Sequence, residues 1–162
     1  MNNDFPIFVF PYSQRLSSIQ EPALLESVRT FLSQWKAHDS PMKAEAWIEE
    51  GQFLLVEVDP ALALPSGCSK DKLYHFVKNL NKNSGLEESD LNLFFVKTDA
   101  EIMSMDKSGL KKMWEEDGQI SGYQLFPNWI ASRSEYEKWW GKPLGHFQTL
   151  LKLSPEKSNF QK

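Results

Sequence analysis

The segment Ser66-Gly67-Cys68-Ser69-Lys70-Asp71 sets the chain's one cysteine beside two hydroxyls, a glycine and a carboxylate. It lies between an apolar, strand-like run, Phe53 to Asp59, and the start of a helical pattern. The first N–H groups of a helix have no intrahelical partner, and the positive end of the helix dipole favours a thiolate. Cysteine attacks as the thiolate, so Cys68 in this position suits a nucleophile or a redox thiol. The same N–H groups can hold a carboxylate or phosphate, and Gly67 lets a ligand approach the backbone closely. The structural alternative is ordinary: Ser69 caps the helix and Cys68 is a small buried residue.

A second group is Trp35-Lys36-Ala37-His38-Asp39. His38 can act as general base for Cys68, with Asp39, Asp59 or Asp71 orienting the imidazole. A lone cysteine with distant His and Asp residues is a weak signature of nucleophilic catalysis. Alternatively His38 is a cation at the end of a helix, where the dipole favours positive charge. The candidate catalytic residues are therefore Cys68 and His38, and the candidate ligand-binding residues are Trp35, Ser66, Gly67, Ser69 and Asp71. No metal or cofactor is expected, since His38, His75, His146 and Cys68 are scattered without ligand spacing.

Phe53 to Asp59 resembles a Walker B strand, apolar and ending in an acid. That acid works only with a phosphate loop, and no G-x-x-x-x-G-K-[ST] occurs. Gly141-Lys142 is the only Gly-Lys pair, and Pro143 follows it. No G-x-G-x-x-G occurs either, so ATP is not an expected partner.

The elements that must position these residues read as follows. Phe5 to Phe10 is a short strand. Leu24, Leu25, Val28, Phe31, Leu32 and Trp35 recur at helical spacing and predict a helix from Pro22 to about Ala37. Ala46 to Glu49 and Phe53 to Val58 form a hairpin about Gly51. Lys70 to Asn81 is a second helix capped by Ser69, and Leu91 to Lys97 another strand. Asp106 to Asp117 is a short helix with Gly118 as its glycine cap. Ser132-Arg133-Ser134-Glu135 has capping-box spacing and opens a last helix, which Gly141 and Pro143 end. Trp129, Tyr136, Trp139, Trp140 and Phe147 make an aromatic cluster that reads first as core. Trp139 and Trp140 diverge by about 100° on a helix, so one of them can be partly exposed.

Composition bounds the function classes. The 162 residues carry a net charge of −4, and the densest basic stretch, Lys107 to Lys112, runs straight into Glu115, Glu116 and Asp117. Nucleic-acid binding is therefore disfavoured, because displacing counterions from phosphates needs a basic face. One cysteine cannot make an intramolecular disulfide. No apolar stretch approaches the roughly 20 residues of a membrane span. Met1 to Pro11 carries Asp4 and lacks the positive region of a signal peptide. The expected location is cytoplasmic, without a membrane partner.

The order Trp35-x-x-His38, an apolar strand ending in Asp59, Ser66-Gly67-Cys68-Ser69-x-Asp71, Leu125-Phe126, and Trp140 followed by Pro143-Leu144 resembles one family. These are small bacterial proteins of about this length, commonly labelled "ABC transporter ATPase". The resemblance spans residues 35–144, and Ser66 to Ser69 is its most specific part. Lys70 stands where the family often carries an apolar residue. The resemblance implies no established activity, and the label implies an ATPase whose machinery this chain lacks.

The fold expected is α+β: one domain over residues 1–153 and a frayed tail over 154–162. A mixed, mainly antiparallel sheet of about five strands would pack against the first, second and last helices. The leading expectation for function is a domain that binds a small molecule or a protein partner around Ser66–Asp71. The alternative is a thiol-dependent enzyme using Cys68 with His38.

Overall fold

The computed structural model describes residues 4–155. Its class is α+β, with four α-helices and three antiparallel sheets among the described residues. The chain divides into two compact units, Met1–Leu91 with Trp129–Glu137 and Asn92–Asn128 with Lys138–Lys162.

The first unit is built on β5 (Phe53–Asp59), paired antiparallel with β1 (Ile7–Pro11) and β4 (Lys43–Glu49). The near-continuous apolar run of β5 follows from burial on both faces. Leu54, Val56 and Val58 enter one core with Leu24, Val28 and Leu32 of α1 (Gln20–Ser33) and with Leu73 and Val77 of α2 (Gly67–Asn83). On the opposite face of β5, Glu57 meets Arg133 of α4 (Arg133–Trp139). The guanidinium donates from both Nε, at 2.6 Å, and Nη2 to the two carboxylate oxygens. Burial of Glu57 is tolerated because a bidentate cation satisfies it.

A two-stranded hairpin lies between α1 and β4: β2 (Lys36–Ala37) and β3 (Ser40–Pro41), with Ala37 opposite Ser40. The second unit holds the sheet β7-β6-β8-β9, from β6 (Phe94–Lys97), β7 (Ile102–Met105), β8 (Gln124–Phe126) and β9 (Lys142–Pro143). Val96, Leu125, Leu144 and Phe147 pack there with Leu110 and Trp114 of α3 (Lys107–Glu116). The Trp114 indole donates to the Ser154 carbonyl at 2.8 Å.

Several expectations are corrected. One sheet of about five strands becomes three sheets of three, two and four strands, all antiparallel. The cause is pairing: β1 and β4 occupy both edges of β5, and β6 finds its partners in β7 and β8. The first helix ends at Ser33 rather than near Ala37, because the N–H groups of Gln34 and Trp35 close its last turn and the chain then enters β2. The second helix begins at Gly67, with Ser66 and not Ser69 as its N-cap. The strand expected from Leu91 starts at Phe94, and Leu91 is exposed. Gly118 does not adopt a left-handed cap. Of the expected aromatic residues, Trp129 and Tyr136 belong to the first unit, and Trp139, Trp140 and Phe147 to the second. In the second unit Trp140 is buried against Phe126, and half-buried Trp139 meets Phe147. Of the tail expected over 154–162, residues 156–162 lie outside the described residues.

Candidate functional site

The site is organised by the start of α2. Ser66 is extended, and its Oγ accepts the Ser69 N–H at 3.2 Å. Ser69 Oγ in turn accepts the Ser66 N–H at 2.7 Å. This is a reciprocal capping box in which a serine takes the place of the usual Glu or Gln. It fixes the first turn and leaves Cys68, the second helical residue, exposed. Gly67 has a negative φ, and a Cβ there would meet no heavy atom within 4 Å. Its glycine character is therefore not required by packing within the protein.

The opposite wall comes from the β2–β3 hairpin. His38 and Asp39 are its two turn residues, with φ of 49° and 64°. A tight turn with both central residues left-handed matches the twist of the flanking strands, and Asp and His tolerate this region better than most residues. His38 is therefore not a cation at a helix C-terminus; it is exposed at a hairpin tip. Trp35, just before β2, is buried, and its indole donates to the Ser69 carbonyl at 2.9 Å. Hairpin and helix start are thereby pinned together.

Between them lies a cleft of about 430 Å³, lined by Trp35, His38, Ser66, Cys68 and Ser69. Gly67 and Asp71 are exposed and stand outside this lining. The chemical types that draw attention in the sequence thus meet in one place, although they come from two segments about thirty residues apart. Phe31, Gln34, Lys36, Asp39 and Lys72 complete the wall. Of these, Phe31 is stacked on Phe76 with centroids 4.4 Å apart. Lys72 is four residues beyond Cys68, the spacing that puts two side chains on one helix face. Lys36 carries no signal beyond its place next to Trp35.

Two ammonium groups, Lys36 and Lys72, thus line the cleft with a single carboxylate, Asp39. Among the described residues none of these three has a side-chain hydrogen bond or ion pair. The local balance is positive in a protein whose net charge is −4.

Asp59, the acid at the end of β5, is engaged elsewhere. It accepts the Ala61 N–H at 3.0 Å and the Lys43 ammonium at 2.9 Å. These two contacts hold its carboxyl below the usual range, the Ala61 N–H contributing most. Among the described residues no group of three His, Cys, Asp or Glu side chains is placed to hold a metal ion, and no helix is long and apolar enough to cross a membrane. No family model, curated protein or solved structure matches this chain.

Proposed function

We propose that the chain is a binding domain for a small anionic molecule, held in the cleft between the His38-Asp39 turn and the first turn of α2. The observation that carries this reading is the lining itself. Lys36 and Lys72 supply unpaired positive charge, Phe31 and Trp35 supply an apolar wall, and Ser66, Cys68 and Ser69 sit at the positive end of a helix dipole. The lining is mainly polar, with Phe31 and Trp35 as its apolar members, so charge rather than apolar burial would select the ligand. Gly67 and Asp71 belong to the proposal as residues at its rim.

The test is a calorimetric screen of carboxylates, phosphates and Mg-ATP against the whole chain. A small carboxylate or phosphate should bind, and Lys36→Glu and Lys72→Glu should each weaken it by about tenfold or more. Binding unaffected by both substitutions would overturn the reading. Mg-ATP should show no micromolar binding, since the chain has no phosphate loop and Asp59 is held by Lys43 and Ala61. A cytoplasmic location, the absence of a nucleic-acid partner, and membership of the small bacterial family belong to the same proposal. Their support is the acidic net charge, the single cysteine and the residues from Trp35 to Leu144 quoted above.

A second reading is favoured by one observation: exposed Cys68 and exposed His38 line the same cleft. In this reading the thiol would act as nucleophile and the imidazole as its general base, both facing one substrate-sized space. Cys68→Ser separates the two, since a binding domain keeps its affinity and a thiol enzyme loses turnover.

A further inference from the structure

The sheet of the second unit ends on β7, whose strand partner among the described residues is β6 alone. The outer N–H and C=O groups of such a strand are a template for another strand, and proteins commonly guard an edge with lysine or proline. Ile102-Met103-Ser104-Met105 contains neither. Met103 is 39% exposed. Beside this edge lies a groove of about 550 Å³, lined by Met103, Met105, Lys112, Met113, Glu116 and Asp117. Methionine side chains are unbranched and polarisable, and adapt to an incoming surface.

The charges of α3 are the second observation. Lys107, Lys111 and Lys112 stand in its first six residues, and Glu115 and Glu116 at its end, followed by Asp117. The helix dipole favours the reverse distribution, so the pattern is locally unfavourable. Among the described residues neither Lys112 nor Glu116 has an ion pair or hydrogen bond from its side chain.

We propose that β7 pairs antiparallel with β7 of a second copy of this chain, joining two four-stranded sheets across a two-fold axis. An antiparallel pair of identical strands places that axis perpendicular to the sheet. The axis carries α3 onto the same face of the joined sheet, running in the opposite direction. The basic half of each helix then meets the acidic half of the other, with Lys112 against Glu116 of the second copy and the methionines between them. The charge pattern that opposes the dipole of one helix is complementary to its two-fold mate. Four residues of strand pairing are short, so the methionine groove and the crossed charges carry much of the affinity.

Sedimentation equilibrium of the full chain tests this. The wild type should show a concentration-dependent mass rising from one copy toward two. Met103→Lys, at an exposed edge position, should raise the dissociation constant by about tenfold or more. Lys112→Glu and Glu116→Lys, both on exposed helix positions, should each weaken pairing by about threefold or more, and the double variant should restore it. Circular dichroism checks that each variant stays folded, and the charge variants provide a readout independent of the strand substitution. A wild type that stays monomeric up to about millimolar concentration, a dimer indifferent to Met103→Lys, or charge reversals that the double variant does not rescue would each overturn the proposal.

Discussion

The indole Nε1 of Trp35 donates to the backbone carbonyl of Ser69, 2.9 Å away and out of contact with solvent. This one bond joins the segment entering the β2–β3 hairpin to the first turn of α2, and so sets the spacing of the two walls of the cleft. Phe8 meets the same indole edge-on at 6.2 Å, and Phe31 lies 6.0 Å from it. Trp35 is thus held by packing from below while its polar edge points to the site's backbone.

Trp35→Phe should keep most of that packing and lose the hydrogen bond, at a cost of about 1 kcal/mol. Trp35→Ala should cost about 3–5 kcal/mol, the range for a buried aromatic. Urea melts of the two variants check this. Equal losses would mean that the indole hydrogen bond carries the effect, and a Trp35→Phe variant as stable as wild type would mean that packing alone positions the hairpin. Binding should weaken in Trp35→Phe, because the cleft walls are no longer tied.

Arg133 clamps the segment 129–137 to the sheet of its own unit through Glu57, whose side chain is only 8% exposed. Arg133→Ala leaves that carboxylate buried without its cation. Arg133 is itself 42% exposed, so solvent screening lowers the cost to about 3 kcal/mol, the low end for a broken buried pair. Arg133→Lys should fall between wild type and Ala, since an ammonium cannot reproduce the bidentate fork. Replacing both Glu57 and Arg133 by Met should cost less than Arg133→Ala. A double variant less stable than the single one would mean that the pair is worth more than its desolvation.

The stripe Leu24, Val28 and Leu32 was legible in the sequence because three buried positions repeat at helical spacing. Trp35 continues that spacing and so extends the predicted helix too far, although the chain has already left it. Nothing local marks the exit, because the hairpin turn uses His38 and Asp39 rather than the Asn-Gly or Asp-Gly that usually announces one. The Ser66–Ser69 box was missed for a similar reason, a serine standing where Glu or Gln is expected. Strand pairing was illegible because an apolar run records burial and not its neighbour. Of the cleft, Trp35, His38, Ser66, Cys68 and Ser69 stood out by chemical type. Lys36 and Gln34 did not, since an isolated polar residue next to a buried one reads as solvated surface.

Tyr12 gives the alkaline limb of stability. Burial pushes its phenol well above the usual tyrosine range, and the charge of Glu88 adds to the rise; the neutral phenol donates to Asn81 Oδ1. A group whose folded pKa is raised contributes stability that is complete below its unfolded value, about 10, and is lost as pH rises through the folded one. Melting temperature should therefore fall above about pH 10 through this group. Tyr12→Phe should be less stable at neutral pH by about 1–3 kcal/mol, because buried Asn81 loses a donor. The two stability curves should converge above about pH 10, and parallel curves would remove Tyr12 from the account.

Cys68 joins the cleft to a measurement. It is the second residue of α2 and exposed, so iodoacetamide should alkylate it in the native protein without denaturant. A saturating ligand in the cleft should slow that reaction by about tenfold or more, by covering the thiol. Cys68→Ser should change affinity by less than about threefold if the cleft only binds, whereas Lys72→Glu should weaken it by about tenfold. His38→Ala distinguishes the thiol enzyme, because a general base that serves the sulfur would change the pH profile of alkylation when removed. An unchanged profile leaves the imidazole as one wall of a binding cleft. A thiol that reacts only after unfolding, or at the same rate with the cleft filled, would separate Cys68 from the ligand altogether.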